Sequence, residues 1–591
     1  MTDELRQNIS AAAAANVERW LSEAKYADYK ADLQAMIAQK KWTELEDAFF
    51  TVIEFGTGGI RGTTGIGSNR ISKVTIGEAT QALAEYVKQL DDTTSQKGIV
   101  IACDTRLSSD EFSRYAAEVC VGNGVKAYLF DGFRATPELS FAVRYLGASA
   151  GIVISASHNP PADNGFKAYL ADGGQLVPPH DKGIIEIAKS VETIQTADFD
   201  SSVSAGDIVV IGREVDEAYV SAVMRQAMSD SRDLKVVYSP LHGAGQTNTL
   251  KVLRAAGFTV DVVESQMSPD GNFPTIENGK PNPEEKAAND RAVAQMLATD
   301  ADIAITNDPD ADRIGVMVRE GDQPIYLSGN QSAVLATEYA LRKLYESGEL
   351  TKRHYIAKTI VTTDMMKAVA DRYNVKTYGD MLIGFKYIGE LLLEKEQTDE
   401  HFVIGGEESY GLLKGTYARD KDGAVGALVL AEYAAELKQE GKTLFDRMLE
   451  LYGEYGLFTE RLDTIVCPGA KGFEQMQAIM TKLRDEPPRT VAHHNVSAIA
   501  DYQTLQRTML ATGEQTELAC TVEGNVVVLE FGDERRRISV RPSGTEPKLK
   551  LYVQWYEQGM QGTTAARQRL SEVNDMLESL SRELEGILLE G

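Results

Sequence analysis

Residues 151–170 read GIVISASHNPPADNGFKAYL. Gly151 to Ile154 is an apolar run of buried-strand character. It stops at Ser155-Ala156-Ser157-His158-Asn159-Pro160-Pro161. Small and hydroxyl residues followed by two prolines predict a rigid, irregular turn at a strand end. Parallel sheets present their chemistry at such ends. Ser157 stands in that turn beside His158, and Lys167 follows on the same stretch. A hydroxyl, an imidazole and an ammonium suit acceptance or donation of a phosphoryl group, although a plain polar loop has the same composition.

Outward from this stretch the chain alternates. Strands are predicted at 98–103, 125–130 and 151–154, and helices at 108–121 and 137–146. Phe112, Tyr115, Ala116 and Val119 mark one face of the first helix. The plan recurs with strands at 234–239, 259–263 and 301–306 and helices at 246–256 and 284–297. It ends in Asn307-Asp308-Pro309-Asp310-Ala311-Asp312-Arg313. A third round has strands at 354–361, 375–378 and 402–404 and helices at 364–373 and 385–394. It ends in Gly405-Gly406-Glu407-Glu408-Ser409-Tyr410-Gly411. Strands alternating with helices predict βαβ units, and a repeated plan is a stronger signal than any single motif.

After about residue 454 the pattern changes to strands at 518–522, 525–531, 537–540 and 549–554, followed by an amphipathic helix at 563–589. Residues 9–50 read as a leading helical extension, with Trp20, Leu21, Tyr26, Tyr29, Leu33, Met36 and Ile37 as its apolar contacts. The expected fold class is α/β. Three successive mixed or parallel βαβ domains of similar plan and a smaller C-terminal α+β domain are arranged around one cleft. The expected bounds are 1–50 for the extension, then 51–207, 208–324, 325–453 and 454–591.

A chain of 591 residues is too long for one core. Its net charge of −27 argues against nonspecific binding to nucleic acid or acidic membranes. An anionic substrate then needs local clusters of Arg and Lys. Cys103, Cys120, Cys467 and Cys520 are far apart and form no metal spacing, which predicts free thiols in a reducing compartment. The first residues lack a basic leader with an apolar core, and no apolar run approaches the ~20 residues of a membrane span. A cytoplasmic protein is expected, a monomer or weak homodimer.

Asp308, Asp310 and Asp312 are carboxylates at alternating positions. Extended, they aim at one point and repel unless a cation lies between them. Hard oxygen ligands suit Mg²⁺ or Ca²⁺. No calcium-hand pattern follows, which favours Mg²⁺ over Ca²⁺; an acidic turn is the alternative. Arg541-Pro542-Ser543-Gly544-Thr545-Glu546-Pro547-Lys548 sets a guanidinium, two hydroxyls, an open backbone and an ammonium in one turn, the makings of a phosphate cradle. Lys550 adds a further cation. Phe55-Gly56-Thr57-Gly58-Gly59-Ile60-Arg61-Gly62 allows close backbone approach to a ligand and supplies Arg61. Glu407 and Ser409 flank a glycine-rich turn and suit sugar hydroxyls, but read alone they are a turn with exposed acids.

Taken in order, Ser155-Ala156-Ser157-His158-Asn159-Pro160, Asp308-Pro309-Asp310-Ala311-Asp312-Arg313, Gly406-Glu407-Glu408-Ser409-Tyr410-Gly411 and Arg541-Pro542-Ser543-Gly544-Thr545 resemble the four signature loops of the α-D-phosphohexomutase superfamily. The resemblance covers about residues 50–591. The Glu-Glu-Ser-Tyr-Gly form is similar to the phosphoglucomutase side. The leading extension and Phe55 to Gly59 are similar to its longer branch, which includes phosphopentomutases and glucose-1,6-bisphosphate synthases. The resemblance implies that Ser157 is a phosphoserine, and that Asp308, Asp310 and Asp312 hold Mg²⁺ with a phosphoserine oxygen as a further ligand. It implies that Glu407 and Ser409 grip sugar hydroxyls, and that Arg541, Ser543 and Thr545 hold the non-reacting phosphate, with Gly544, Lys548 and Lys550 beside them. Lys421 and His158 become candidate proton carriers, and Arg61, Lys167 and Arg313 line the reacting phosphate. The sequence departs at Ile383-Gly384-Phe385-Lys386, where relatives often carry Thr before the glycine. That removes a hydroxyl beside the sugar site at Gly384 and Lys386.

The implied reaction interconverts glucose 1-phosphate and glucose 6-phosphate through glucose 1,6-bisphosphate, and its partner is a small-molecule phosphosugar. A phosphopentomutase, a phosphomannomutase or a glucose-1,6-bisphosphate synthase uses the same loops. The non-enzymatic alternative is a phosphosugar-binding sensor. A metal-dependent phosphatase also follows from the aspartates alone.

Overall fold

The computed structural model of the chain describes residues 2–53, 59–467, 472–543, 548–559 and 562–589. Contacts divide it into two compact units. One holds the described residues of 1–227, 235–314 and 416–428; the other holds those of 228–234, 315–415 and 429–591.

The first unit opens with helices Thr2–Asn8, Ala11–Ser22, Lys30–Ala38 and Trp42–Phe49 and the 3₁₀ segment Ala24–Tyr29. The expected extension is therefore helical in pieces. The chain turns extended at Glu23, whose N–H closes the preceding helix on Arg19. Trp20 stacks on Tyr26 with ring centroids 4.3 Å apart. Leu33 and Ile37 are buried beside them, and Leu21, Tyr29 and Met36 pack at the margin. Burying each such side chain contributes about 1.5–3 kcal/mol.

Six strands follow: β1 (Ile60–Thr63), β2 (Ile99–Cys103), β3 (Ala127–Phe130), β4 (Ala150–Ile154), β5 (Asp163–Leu170) and β6 (Ile208–Ile211). They form one sheet in the order β1-β5-β4-β2-β3-β6. β4, β2, β3 and β6 run parallel. Helices Ser109–Gly122 and Thr136–Leu146 pack against it. The sheet is mixed because β5 runs antiparallel to β4, and β1 antiparallel to β5. Residues 163–170 were not expected as an element. The turn at the prolines sends the chain straight back along β4, which places Lys167 opposite Val153. Every residue of β4 is buried, as an apolar central strand requires.

A second parallel set, β7 (Lys235–Ser239), β8 (Thr259–Val262) and β9 (Ile303–Asn307), is ordered β9-β7-β8. Helices Thr249–Ala255 and Lys286–Ala298 accompany it. The loop before helix Gly423–Gln439 also belongs to this unit.

In the second unit, β10 (Ile314–Glu320) and β11 (Gln323–Leu327) make a hairpin. β12 (His354–Thr359), β13 (Lys376–Met381), β14 (His401–Glu407) and β15 (Gly411–Lys414) form a sheet ordered β13-β12-β14-β15. After β16 (Leu457–Val466) comes the small hairpin β17 (Thr490–Val491) and β18 (His494–Asn495). The remaining strands are β19 (Ala498–Asp501), β20 (Gln506–Met509), β21 (Gln515–Glu517), β22 (Val527–Glu530), β23 (Arg537–Pro542) and β24 (Lys548–Glu557). With β16 they build an antiparallel sheet ordered β16-β24-β23-β22-β19-β20-β21, beside helices Gly472–Asp485 and Thr563–Leu589. The strand expected at 518–522 is absent and lies at 515–517 instead. β21 is an exposed polar edge, and its register comes from the hairpin through Gly513, at φ +75°, not from an apolar pattern.

Candidate active site

β4 ends at Ile154, and the chain enters its turn with Ser155 N–H donating to Gly165 O at 3.1 Å. Ser157 has φ +52°, the left-handed region that a non-glycine residue enters only when its surroundings hold it there. It is 1% exposed. Its hydroxyl donates to Asp308 Oδ2 at 2.6 Å, and His158 Nδ1 lies 3.2 Å away.

β9 delivers Asn307 to the start of the aspartate loop. Ala311, at φ +53°, folds that loop back, and its N–H donates to Asp308 O. The three carboxylates are buried, and one oxygen from each lies within 4.8 Å of the others. Asp310 Oδ2 accepts from Lys167 Nζ at 2.6 Å and from Thr136 Oγ1 at 2.7 Å. Thr136 begins helix Thr136–Leu146, which has no side-chain cap; its N–H donates to Asp310 O, so the positive helix end faces this loop. Asp312 Oδ2 lies 2.9 Å from Lys421 Nζ and 3.4 Å from Lys167 Nζ. Asp310 Oδ1 and Asp312 Oδ1 are buried without a hydrogen-bond partner.

Burial, then the carboxylates of Asp312 and Asp310, push Asp308 well above the usual carboxylate range. Burial also opposes charge on Asp310, but the Lys167 ammonium outweighs it and holds that carboxyl well below the usual range. Asp312 is lowered too: Lys421, Lys167 and Arg313 overcome burial and the repulsion of Asp310. Three buried carboxylates, two with an orphaned oxygen, form a group that can hold a metal ion. Its all-oxygen donor set fits a hard divalent cation.

Arg313 pairs with Glu284 at 2.7 Å. Arg61, on β1, stands opposite Gly165 on β5. Phe55 to Gly58, in the glycine run before it, lie outside the described residues. Lys421 is held from both sides. Asp420 accepts from Tyr169 Oη at 2.8 Å, and Asp422 accepts from Tyr219 Oη at 2.8 Å and from Tyr417 Oη. Thus Ser157, His158, Lys167, Asp308, Asp310, Asp312 and Lys421 come together in the first unit.

In the second unit, β14 ends on buried Glu407, and the β14–β15 turn carries Ser409 before Tyr410 at φ +66°. Gly384, at φ +129°, precedes helix Phe385–Lys395. Lys386 in its first turn is buried, with Nζ 5.1 Å from the centroid of the Tyr387 ring. Arg541 on β23 stands directly opposite Lys550 on β24, and Ser543 N–H donates to Lys548 O at 2.7 Å. Like charges facing each other across a ladder repel, and an anion relieves them. Gly544 and Thr545 lie outside the described residues.

Sequence reasoning missed Thr136, Tyr169, Tyr219 and Tyr417, which tether the loops through contacts far apart in the chain. No local signal in the sequence marks Thr136, Tyr169 and Tyr219, because their partners lie far along the chain.

Family models described as phosphoglucomutase/phosphomannomutase, alpha/beta/alpha domain I, domain II and domain III match residues 52–195, 217–321 and 328–455. A phosphoglucomutase from Staphylococcus haemolyticus is 36% identical over 518 residues, 86% of this chain and 91% of that protein. Among solved structures, the exocytosis-sensitive phosphoprotein pp63/parafusin of Paramecium, in its open form, aligns with TM-score 0.64 at 16% identity, over 91% of this chain and 96% of that one. A putative phosphomannomutase from Thermus thermophilus aligns with TM-score 0.61 at 22% identity, over 92% of this chain and 100% of that one. The chain belongs to the phosphoglucomutase/phosphomannomutase family of the α-D-phosphohexomutase superfamily, a family of phosphosugar mutases. The α/β class expected from the sequence is borne out. Among the described residues, no helix is long and apolar enough to cross a membrane.

Proposed function

We propose that this mutase interconverts glucose 1-phosphate and glucose 6-phosphate through a phosphorylated Ser157 and glucose 1,6-bisphosphate. The observation that carries the reading is the 2.6 Å hydrogen bond from Ser157 Oγ to Asp308, one member of a buried carboxylate triplet with two orphaned oxygens. Asp308, Asp310 and Asp312 would hold Mg²⁺, which when bound supplies positive charge against the oxygens of the transferring phosphoryl group. Lys167 lines the transferring phosphate, and Lys167 and Lys421 favour ionised Asp310 and Asp312.

In the forward half-reaction, a sugar hydroxyl attacks phosphorus, the bond from phosphorus to Ser157 Oγ breaks, and Oγ leaves. His158 and Lys421 are the candidates to take the hydroxyl proton and to protonate Oγ. The second half-reaction reverses this with the other phosphate of the bisphosphate. Glu407, Ser409, Gly384 and Lys386 bind the sugar. Arg541, Ser543, Gly544, Thr545, Lys548 and Lys550 bind the phosphate that is not transferred, and Arg61 and Arg313 support the one that is. The chain acts as a cytoplasmic four-domain enzyme on a small phosphosugar, with bounds near 207, 324 and 453.

The test is turnover of glucose, mannose, glucosamine and ribose 1-phosphates with Mg²⁺, with and without added glucose 1,6-bisphosphate. The reading holds if glucose 1-phosphate gives the highest kcat/KM and the bisphosphate activates. It fails if ribose 1-phosphate is preferred, or if bisphosphate accumulates as the product.

A further inference from the structure

The motif Asp104-Thr105-Arg106 follows β2 and takes no part in the reaction described above. Arg106 is nevertheless 3% exposed, and its guanidinium reaches into the Ser157 turn. Nη2 donates to Ser157 O at 2.7 Å and to Asn159 O at 2.6 Å. Nη1 donates to Pro160 O at 2.7 Å and to Asp163 O at 2.8 Å. Four inward-pointing carbonyls therefore converge on one cation. A planar fork with paired N–H groups on two nitrogens meets that demand; an ammonium, with three donors on one atom, does not.

The other side of the turn is held through Asp104, also buried. It lies 3.2 Å from Arg106 Nε as an ion pair and accepts from Ser155 Oγ and Ser109 Oγ, each at 2.6 Å. Ser155 Oγ in turn accepts from Ser157 N–H at 2.8 Å. Both backbone polar groups of Ser157 are thus fixed, its N–H through Ser155 and Asp104, its carbonyl by Arg106. This connection keeps a non-glycine residue at φ +52°. The opposite face of the guanidinium is covered by the segment after β8. The Phe273 ring centroid lies 5.3 Å from Arg106 Cζ, and a Cβ on Gly271 would stand 2.5 Å from Leu107 N.

We propose that Arg106, Asp104 and Ser155 are positioning residues that hold Ser157 Oγ on the Asp308 side of its turn throughout the phosphorylation cycle. The proposal rests on the reading of Ser157 as the phosphoryl carrier. No atom of the three lies in the reaction path, so their contribution is to kcat and not to substrate affinity.

The test compares the full-length enzyme with Arg106→Lys and Ser155→Ala. It measures phosphate on Ser157 by mass after exposure to glucose 1,6-bisphosphate, kcat and KM for glucose 1-phosphate, Mn²⁺ affinity, and the melting curve. The expected result is a ~10²-fold loss of kcat in Arg106→Lys and a ~10-fold loss in Ser155→Ala, with KM and Mn²⁺ affinity within about threefold of wild type. A folded variant with wild-type kcat overturns the proposal. So does a joint loss of kcat, substrate affinity and Mn²⁺ affinity, which marks general disruption. If Arg106→Lys does not fold, Ser155→Ala decides. If wild type takes no phosphate on Ser157, the carrier reading itself fails; if wild type is labelled and the variants transfer at its rate, the positioning proposal alone fails.

Discussion

Ser157 Oγ and Asp308 Oδ2 are 2.6 Å apart, although 151 positions separate the two residues. The bond joins the loop after β4 to the loop after β9, so two strand-end turns from different sheets share one proton. Asp308 is the carboxylate pushed above its usual range, and the hydroxyl donates to it, so neither group is spent on a strong ion pair.

On the proposed reading, Ser157→Ala removes the oxygen that carries the phosphoryl group. The expected loss of kcat is ~10⁴-fold or more, as for other covalent nucleophiles, with the melting temperature nearly unchanged. A coupled assay of glucose 6-phosphate formation checks it. A folded variant retaining a tenth of the activity contradicts the assignment.

Two aspartate substitutions are expected to differ in the metal-free protein. Burial and the neighbouring carboxylates oppose charge on Asp308, so Asp308→Asn in EDTA is expected to cost less stability than Asp310→Asn. Asp310→Asn deprives buried Lys167 of its nearest counter-charge and costs about 3 kcal/mol. Saturating Mg²⁺, at about a hundred times its Kd, stabilises wild type by about 2.7 kcal/mol, and both variants lose that gain. Melting curves with EDTA and with Mg²⁺ test it. Equal destabilisation in EDTA speaks against the split.

Asp422 supplies a pH dependence of stability. Burial, opposed by hydrogen bonds from Tyr417 and Tyr219, pushes its carboxyl up to about 6. The folded state then binds the proton more tightly than the unfolded state. The stabilisation is complete below the unfolded pKa and is lost as pH rises through about 6. Between pH 4 and pH 7, wild type should lose roughly 2.3 kcal/mol relative to Asp422→Asn, which cannot ionise. Denaturation of both proteins across that range measures the difference; parallel curves rule the buried acid out as its source.

The loops that announce chemistry were legible because each ends an apolar strand with residues that no core would choose. Ser157 after Ile154, Asp308 after the strand ending at Asn307, and Glu407 at the close of β14 are such cases. The tethers were not. Tyr169 meets Asp420 across 251 positions and Tyr219 meets Asp422 across 203, and neither carries a local period. Arg106 carries no signal of its own, because its partners are backbone carbonyls, which leave no trace in side-chain sequence. β5 escaped notice because both its edges are paired, so its burial does not alternate.

The turn proposed to bind the sugar can be tested without touching a functional group. Gly329 starts helix Gly329–Glu346, whose Ser328 and Gln331 form a reciprocal cap. A Cβ there would lie 2.1 Å from Glu408 O and 2.6 Å from Tyr410 N, both backbone atoms that cannot rotate aside. The turn between Glu407 and Tyr410 must therefore move in Gly329→Ala, at an expected cost of about 1–3 kcal/mol. Displacing Glu407 and Ser409 is expected to raise KM for glucose 1-phosphate ~10-fold, the equivalent of one good hydrogen bond. Mn²⁺ affinity should not change, since the aspartate triplet belongs to the other unit. Steady-state kinetics beside a Mn²⁺ titration separate the two effects, and a folded variant with wild-type KM would remove this turn from the sugar site.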